Sequence, residues 1–505
     1  VHLHPRPGPR PFPCRNADRR EQPSRPGRMD GLRRHPASCR GHALRFSMKD
    51  HPGPGQSSPV TGPDRPGPHA LIVGGGASGV LAAAHLLRRD PQARVTLVEP
   101  RDRIGLGLAY STSDENHLLN VRAGNMSALA DDPQHFLGWL GTKGHDATPD
   151  CFVTRRIYGE YLADLLSVWR AGPPARFRRA HGICTRLTEG PLGAVATFAD
   201  GTAQLADHVI LATGHTQPRP TGETALQPAW DPLPRLPPEA SVLILGTGLT
   251  MVDQVLSLLD AGFAGRIMAI SRRGLLPRAH RPTTPLHLGP QDIPFGAPTS
   301  ALCRWLRTLA QTAEGKGGTW RDAMDGVRPY VRRIWRSLPP VERARFLRHG
   351  QRWWDIHRHR MPPCSEARLR AAMTDGQLVL LRGDVLRVDR SGTGICATYR
   401  PYGAGSTASL PAAVAIDARG LRGRPADSPL LASLLHEGTA RMDPLGIGLD
   451  IADDGSVIRA DGTRSPRLSA IGPVSRAAFW EVTAIPDIRI QAAALAERIA
   501  TVHRG

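Results

Sequence analysis

Apolar and polar positions form an ordered pattern only after residue 68 of this 505-residue chain. Residues 70–73 are a short apolar run that ends in glycines, which predicts a strand. Apolar residues in 77–88 recur at three- and four-residue steps and predict a helix, and residues 94–99 predict a second strand. The folded part of the chain is therefore expected to begin with a β–turn–α–β unit.

The same pattern recurs near the middle of the chain. Residues 241–245, 249–259 and 266–271 predict another strand, helix and strand in that order. The remaining segments are short strands within 176–214, a Pro-rich linker at 217–238, helices over 299–372, strand-like sequence at 377–418 and a final helix at 488–502. Strands that alternate with helices in this way predict an α/β fold with a helical insertion.

Residues 1–68 are rich in Pro, Gly, Arg and His and have no apolar periodicity, so we expect them to be disordered. The stretch before Met48 resembles read-through of GC-rich DNA, and we expect translation to start at Met48.

The net charge of +20 is concentrated in two places. Residues 1–47 hold 11 arginines against 3 acidic residues, and residues 321–360 hold 11 against 4. Neither segment has zinc-finger spacing or an RNP-like aromatic motif, so we expect no nucleic-acid partner. A groove for an anionic cofactor or substrate would be equally basic.

Seven cysteines are scattered without a C-x-x-C pair, which argues against a metal site and a redox-active dithiol. Reduced thiols without a signal peptide indicate a cytoplasmic protein. No apolar run approaches the roughly 18 residues of a membrane span, so no membrane partner is expected.

The first turn carries the G-x-G-x-x-G pattern at residues 74–79. Gly74 would permit the tight turn, Gly76 would let the backbone approach a pyrophosphate, and Gly79 would let the helix pack on the strand. The bland alternative is a glycine-rich turn in another kind of α/β protein. The surrounding strand and helix favour a dinucleotide site.

Two further features support that interpretation. Ala77 and Ser78 open the predicted helix, whose N-terminus would face the phosphates with free N–H groups and a positive dipole end. Glu99 ends the next strand 20 residues after Gly79, where a carboxylate would hold ribose hydroxyls.

The second turn reads Gly246-Thr-Gly248-Leu249-Thr250, with methionine in place of the third glycine. We predict that these two glycines, Leu249 and Thr250 contact a second nucleotide, because the turn again lies between a strand and a helix.

The strand after this turn ends in Ser271-Arg272-Arg273, with no carboxylate. Arginine at this place suits the 2′-phosphate of NADPH, so NADPH is favoured over NADH. The alternative is a solvated strand end. Two such units predict two Rossmann-like dinucleotide-binding domains, one for FAD and one that presents a nicotinamide to it.

The chain from residue 70 to about 502 resembles the bacterial FAD/NAD(P)-binding protein family, which is related in plan to flavin-containing and N-hydroxylating monooxygenases. The segments that carry the resemblance are 105–110, 117–121, 124–127, 212–215, 246–253, 271–274, 358–360, 443–446 and 480–489. They are specific to the family and not to one reaction.

The resemblance implies roles for several residues. Gly107 and Tyr110 would lie near the FAD ribose and flavin, and Thr213 and Gly214 would contact the cofactor. Asn120 falls where related enzymes place a catalytic polar residue between flavin and nicotinamide. Its alternative role is to cap a turn.

The final helix is expected to point its N-terminus, at Pro486 and Ile488, towards the flavin pyrimidine. Its dipole would stabilise negative charge at the flavin N1–O2 edge. The alternative is an ordinary capped helix, since proline suits a first turn.

The segment Ala418-Arg419-Gly420 stands where a second Ala-Thr-Gly, like that at 212–214, would be expected at a strand end. Arg419 either contacts phosphate or faces solvent.

The predicted domains are an extension at 1–68, a first FAD-binding part at 69–235, an NAD(P)-binding domain at 239–372 with its helical segment at 299–372, and a FAD-binding return segment at 373–505.

In the helical segment we favour a core role for Trp335, Trp353 and Trp354. Arg358 and His359 are weaker candidates for contacts to an acidic substrate.

Three functions follow from these features. The first is an NADPH-dependent flavin monooxygenase that acts on a small molecule, with amines, amino acids and anionic compounds as candidate substrates. The second is a flavin reductase or dehydrogenase without oxygenation. The third is a non-catalytic FAD-binding sensor, which the arginines at 272 and 273 disfavour. The oligomeric state stays open.

Overall fold

A computed structural model describes residues 67–170, 176–216, 225–232, 235–420 and 423–502. All of these residues fall within one compact unit. The predictions for the extension at 1–68, except its last two residues, and for the start at Met48 lie outside the described residues, as do residues 217–224 and 233–234 of the Pro-rich linker.

Sixteen strands and twelve α-helices occupy the described ranges. The strands are β1 His69–Val73, β2 Arg94–Val98, β3 Phe177–Ala180, β4 Cys184–Gly190, β5 Gly193–Phe198, β6 Ala203–Ala206, β7 His208–Leu211, β8 Leu226–Pro228, β9 Val242–Leu245, β10 Ile267–Ser271, β11 Leu378–Ser391, β12 Gly394–Pro401, β13 Ala408–Ala412, β14 Val414–Asp417, β15 Ser456–Ile458 and β16 Arg464–Ala470. The helices are α1 Ala77–Arg89, α2 His135–Thr142, α3 Arg155–Asp164, α4 Leu249–Asp260, α5 Thr299–Gly315, α6 Trp320–Val327, α7 Val331–Ser337, α8 Pro340–Arg345, α9 Gln351–Arg358, α10 Pro363–Thr374, α11 Pro429–His436 and α12 Ile485–Val502.

The first sheet has the strand order β15-β16-β7-β1-β2-β3. Its strands run parallel except for the antiparallel pair β15 and β16. Leu71 and Ile72 in β1 are fully buried, as expected of a parallel strand covered on both faces. Helices α1 and α12 pack against each other.

The second sheet has the order β13-β12-β11-β10-β9-β14-β8. Strands β8, β9, β10, β11 and β14 are parallel, while β12 and β13 add an antiparallel edge. A small antiparallel sheet, β4-β5-β6, completes the strands. The predicted fold class, α/β with two Rossmann-like units and a helical insertion, is confirmed.

The predicted domain boundaries at 235 and 373 need correction. Strand β11 pairs with β10, and β14 pairs with β9 and β8. Residues 226–228 and 378–417 therefore belong to the second sheet, and the chain returns to the first sheet only with β15 and β16. The sequence pattern identifies strands, but the choice of a strand's partner depends on contacts far apart in sequence.

The helices α5 to α10 form the insertion that the sequence predicts. Trp335 is buried and stacks on Trp480, with ring centroids 4.6 Å apart. Trp353 is 49% exposed, so its predicted core role is wrong. In the described part of the chain, we find no helix with the length and apolar character of a membrane span.

Candidate active site

A cleft of about 1660 Å³ lies at the carboxyl ends of the parallel strands β1, β2, β9 and β10. Open α/β sheets bind ligands at this edge. Sixteen of the predicted site residues line the cleft: Gly74, Gly76, Ala77, Ser78, Glu99, Gly107, Tyr110, Thr213, Gly214, Gly246, Gly248, Leu249, Thr250, Arg272, Arg273 and Ile488. The two glycine turns therefore open into one space.

The first turn needs its glycines for steric reasons. Gly74 has φ +109°, and a Cβ there would lie 2.4 Å from the Ala212 carbonyl oxygen. A Cβ on Gly79 would lie 1.9 Å from the Gly74 oxygen, because Gly79 packs directly against the turn. Gly79 does not line the cleft. Gly75, which the sequence pattern leaves unspecified, is equally restricted, because its Cβ would lie 2.6 Å from Glu99 Cβ.

Gly76 has no side chain to cover the backbone at the start of α1. The nearest atom to a Cβ on Gly76 would be the Cα of Gly107, at 3.4 Å. No side chain caps the helix, and its first turn contains no acidic residue. These features fit a bound pyrophosphate, which the bare Gly76 backbone and the free N–H groups at the helix N-terminus would hold.

The Glu99 carboxylate is buried in the cleft and accepts three hydrogen bonds, including one from the Arg101 backbone N–H at 3.1 Å. One oxygen accepts a 2.9 Å hydrogen bond from the Gly75 N–H, and the other accepts one of 2.9 Å from Arg101 Nε. These contacts fix the carboxylate beside the turn, at the place where the sequence predicts ribose recognition.

The second turn repeats the first in detail. Gly246 has φ +111°, and its Cβ would lie 2.6 Å from the Ala418 oxygen, as Gly74 faces Ala212. Residues 418–420 are thus the structural counterpart of 212–214. The Arg419 guanidinium pairs with both Asp417 carboxylate oxygens, at 2.7 and 2.6 Å, and it lines the cleft, so the predicted choice between phosphate and solvent stays open.

The strand after the second turn has no carboxylate at the position that corresponds to Glu99. Gly74 N–H donates to Val98, and Gly246 N–H donates to Ile270, so Ser271 occupies the register of Glu99. The Ser271 hydroxyl lies 2.9 Å from the Thr247 hydroxyl, a contact that the sequence did not reveal. This arrangement leaves room for a phosphate where a carboxylate would repel it.

The two arginines that follow Ser271 differ in their surroundings. Arg272 is exposed and lines the cleft. The Arg273 guanidinium donates to the His349 carbonyl at 3.4 Å and lies over the Trp353 ring at 5.9 Å. Arg272 is therefore the more available cation for a 2′-phosphate.

The flavin end of the cleft is formed by Thr213 and the start of α12. Thr213 Oγ1 is buried and has no hydrogen-bond partner among the described residues. A bound cofactor would supply the missing hydrogen bond. Helix α12 begins at Ile485, with Pro486 in its first turn as predicted. Ile485 and Ile488 face the cleft, whereas Pro486 does not line it.

Two other predicted residues do not reach the cleft. Asn120 is half-buried away from the lining, where its carbonyl accepts a 3.0 Å hydrogen bond from His280 Nε2. Arg358 Nε donates to Glu481 at 3.0 Å, so this arginine is not free for a substrate. His359, in contrast, lines the cleft. Desolvation and, to a smaller extent, the charge of Arg358 lower its pKa to about 3.

The wall opposite the turns contains a group of residues that the sequence did not predict. Asp355 of α9 lines the cleft, and desolvation raises its pKa to about 6. Glu481, which accepts from Arg358 and Trp354 Nε1, has φ +73°, the one positive φ among described non-glycine residues. Such strain is typical of functional sites.

The two dinucleotide units are joined by polar contacts between α3 and α4. Arg155 Nη2 lies 2.7 Å from Asp253 Oδ2, and both side chains are about nine-tenths buried. One helical turn later, the Ser257 hydroxyl lies 2.9 Å from His117 Nε2. Burial raises the pKa of Asp253, and the neighbouring charge of Arg155 opposes that shift.

Asp253→Asn is expected to lower the free energy of unfolding by about 3 to 5 kcal/mol, since it leaves the buried Arg155 cation without its counter-charge. Asp260→Asn, at the exposed end of the same helix, should change it by less than about 1 kcal/mol, because its ion pair with Arg368 is solvated. Urea denaturation of both variants measures the difference. Equal effects would contradict a special role for the buried pair.

Comparison with known proteins agrees with this geometry. Residues 71–216 match the model of the FAD-NAD(P)-binding family. An uncharacterised Mycobacterium tuberculosis protein is 27% identical over 304 residues, which cover 55% of this chain and 54% of that protein. The chain thus spans about half the length of that relative.

Solved structures show the same fold. The ornithine N-hydroxylase of Kutzneria sp. 744 has a TM-score of 0.60 at 15% identity, over 86% of this chain and all of that one. The L-lysine 6-monooxygenase of Pseudomonas syringae has a TM-score of 0.58 at 15% identity, over 86% and 99%. The predicted resemblance to FAD/NAD(P)-binding proteins is confirmed, and the chain shares the fold of these flavin N-hydroxylating enzymes.

Proposed function

We propose that the protein is an FAD-dependent, NADPH-using oxidoreductase that hydroxylates a small molecule. The observation that carries this proposal is the single cleft into which both glycine turns open. Such a cleft brings a nicotinamide to a flavin, whereas a protein that only binds FAD has no need of the second turn. FAD, when bound, accepts electrons from NADPH and passes them to oxygen.

The residues of this chain would divide the work as follows. The N-terminus of α1 and Gly76 would hold the FAD pyrophosphate, with Glu99 on the adenosine side. Gly248 and Arg272 would hold NADPH, since the second turn repeats the first and Ser271 replaces a carboxylate. Apolar side chains, including Ile356 of the insertion and Trp480 just before α12, would limit the access of water to the reacting centre.

Oxygenation is favoured over simple reduction because the fold is that of ornithine and lysine hydroxylases. On the same ground, amines and amino acids are the substrates to test first. A cytoplasmic location stays a prediction, consistent with the use of a reducing nucleotide.

Oxygen and NADPH consumption in air test the proposal. We expect the purified protein to hold FAD, to oxidise NADPH, and to release less hydrogen peroxide per NADPH when an accepted substrate is added. Peroxide release that every amine and amino acid leaves unchanged would favour the reductase. A protein that retains FAD but oxidises no nucleotide would favour the sensor.

A further inference from the structure

Arg476 follows the turn at residues 472–475 and presents its guanidinium to the cleft. The guanidinium carbon lies 4.6 Å from the centroid of the Trp480 ring, on which it stacks. This stacking holds the planar group in one orientation and leaves its N–H edge available for a ligand.

Three other arginines at or behind the cleft have carboxylate partners. Arg101 pairs with Glu99, Arg419 pairs with Asp417, and Arg358 behind the wall pairs with Glu481. The Arg476 side chain makes no ion pair or hydrogen bond with any residue that the structure describes. Desolvation lowers its pKa despite the neighbouring charge of Asp355. A confined guanidinium whose N–H groups have no direct partner among the described residues favours an anionic ligand.

Arg476 lies at the wall made by the insertion and not at either dinucleotide turn. Its stacking partner Trp480 packs on Trp335 at 4.6 Å and on Phe346 at 5.6 Å between ring centroids. The glycine turns and Arg272 would bind the phosphates of both nucleotides, so Arg476 is not needed for that role. The nearby Asp355 has its own cation, since Arg352 Nη1 lies 3.7 Å away.

We propose that Arg476 binds a carboxylate of the substrate, so that the enzyme acts on small carboxylic acids. This inference rests on the proposed function and names its substrate class. The carboxylate would meet the guanidinium edge in a two-point contact, while the Trp480 ring supports the face of the guanidinium. Arg476 then replaces Arg358 as the residue that selects an acidic substrate.

The test uses the FAD-loaded enzyme and four probes: benzoate, glutarate and their neutral amides, benzamide and glutaramide. Each probe is titrated while the flavin absorbance spectrum is recorded. We expect at least one acid to perturb the spectrum saturably and its amide not to. Arg476→Met should weaken that response at least tenfold, and Arg476→Lys should retain part of it because the charge remains.

Arg333→Met is the matched control, because Arg333 also stacks on an aromatic ring, that of Phe295 at 4.1 Å, and lies outside the cleft lining. Its response should equal that of the wild type. The inference is overturned if neither acid perturbs the wild-type spectrum, if the amides act equally, or if Arg476→Met binds the acids normally. It is also overturned if Arg476→Met loses FAD or NADPH affinity instead. Anaerobic reduction of the flavin by NADPH reports on the proposed function separately.

Discussion

Gly76→Val is expected to lower the affinity for FAD at least 100-fold while leaving the fold intact. The added Cβ would lie 3.4 Å from the Gly107 Cα, and the methyl groups beyond it would keep a pyrophosphate away from the start of α1. A pyrophosphate there would lose two charge-assisted hydrogen bonds, about 3 kcal/mol together, which corresponds to roughly 100-fold in affinity. FAD retained after gel filtration, and thermal unfolding of the cofactor-free protein, measure the two effects.

Two glycines provide controls for this prediction. Gly248→Val at the second turn, where a Cβ meets no atom within 4 Å, should leave FAD bound and impair NADPH. Gly138→Val, on the exposed surface of α2, should affect neither nucleotide. If the two turn variants lost the same cofactor, separate sites for FAD and NADPH would be contradicted.

Arg272→Ala is expected to raise the NADPH concentration needed for half-maximal flavin reduction about 10- to 100-fold. The loss corresponds to one charged hydrogen bond to the 2′-phosphate, about 1.5 to 3 kcal/mol. NADH, which has no 2′-phosphate, should be used as before. Reduction rates measured over a range of each nucleotide give both values.

Arg266→Ala is the control for that change, since Arg266 is exposed at the opposite end of the same strand and outside the cleft lining. It should leave the preference for NADPH unchanged. An equal loss with NADPH and NADH in Arg272→Ala would assign the arginine a general electrostatic effect instead of recognition of the phosphate.

Local features of the fold could be predicted because they depend on neighbouring residues. Gly74 and Gly246 must adopt positive φ, and an apolar run followed by such a glycine leaves few alternatives to a strand and turn. Each turn is likewise expected at the carboxyl edge of its own parallel sheet, but the meeting of the two sheets at one cleft depends on distant contacts.

Features that depend on distant contacts could not be predicted. Strand-like sequence at 378–417 does not state that its partners are β9 and β10. The pairing of Arg358 with Glu481 joins residues 123 positions apart, and only that contact shows that Arg358 is occupied. Likewise, the unpaired state of Arg476 becomes visible only when every neighbouring carboxylate has been located.

Anaerobic mixing of the FAD-loaded protein with NADPH, and separately with NADH, tests the central claim most directly. We predict that NADPH bleaches the oxidised flavin absorbance, and that NADH does so only at concentrations about 10- to 100-fold higher. A flavin that neither nucleotide reduces would contradict the account of one cleft that serves two nucleotides.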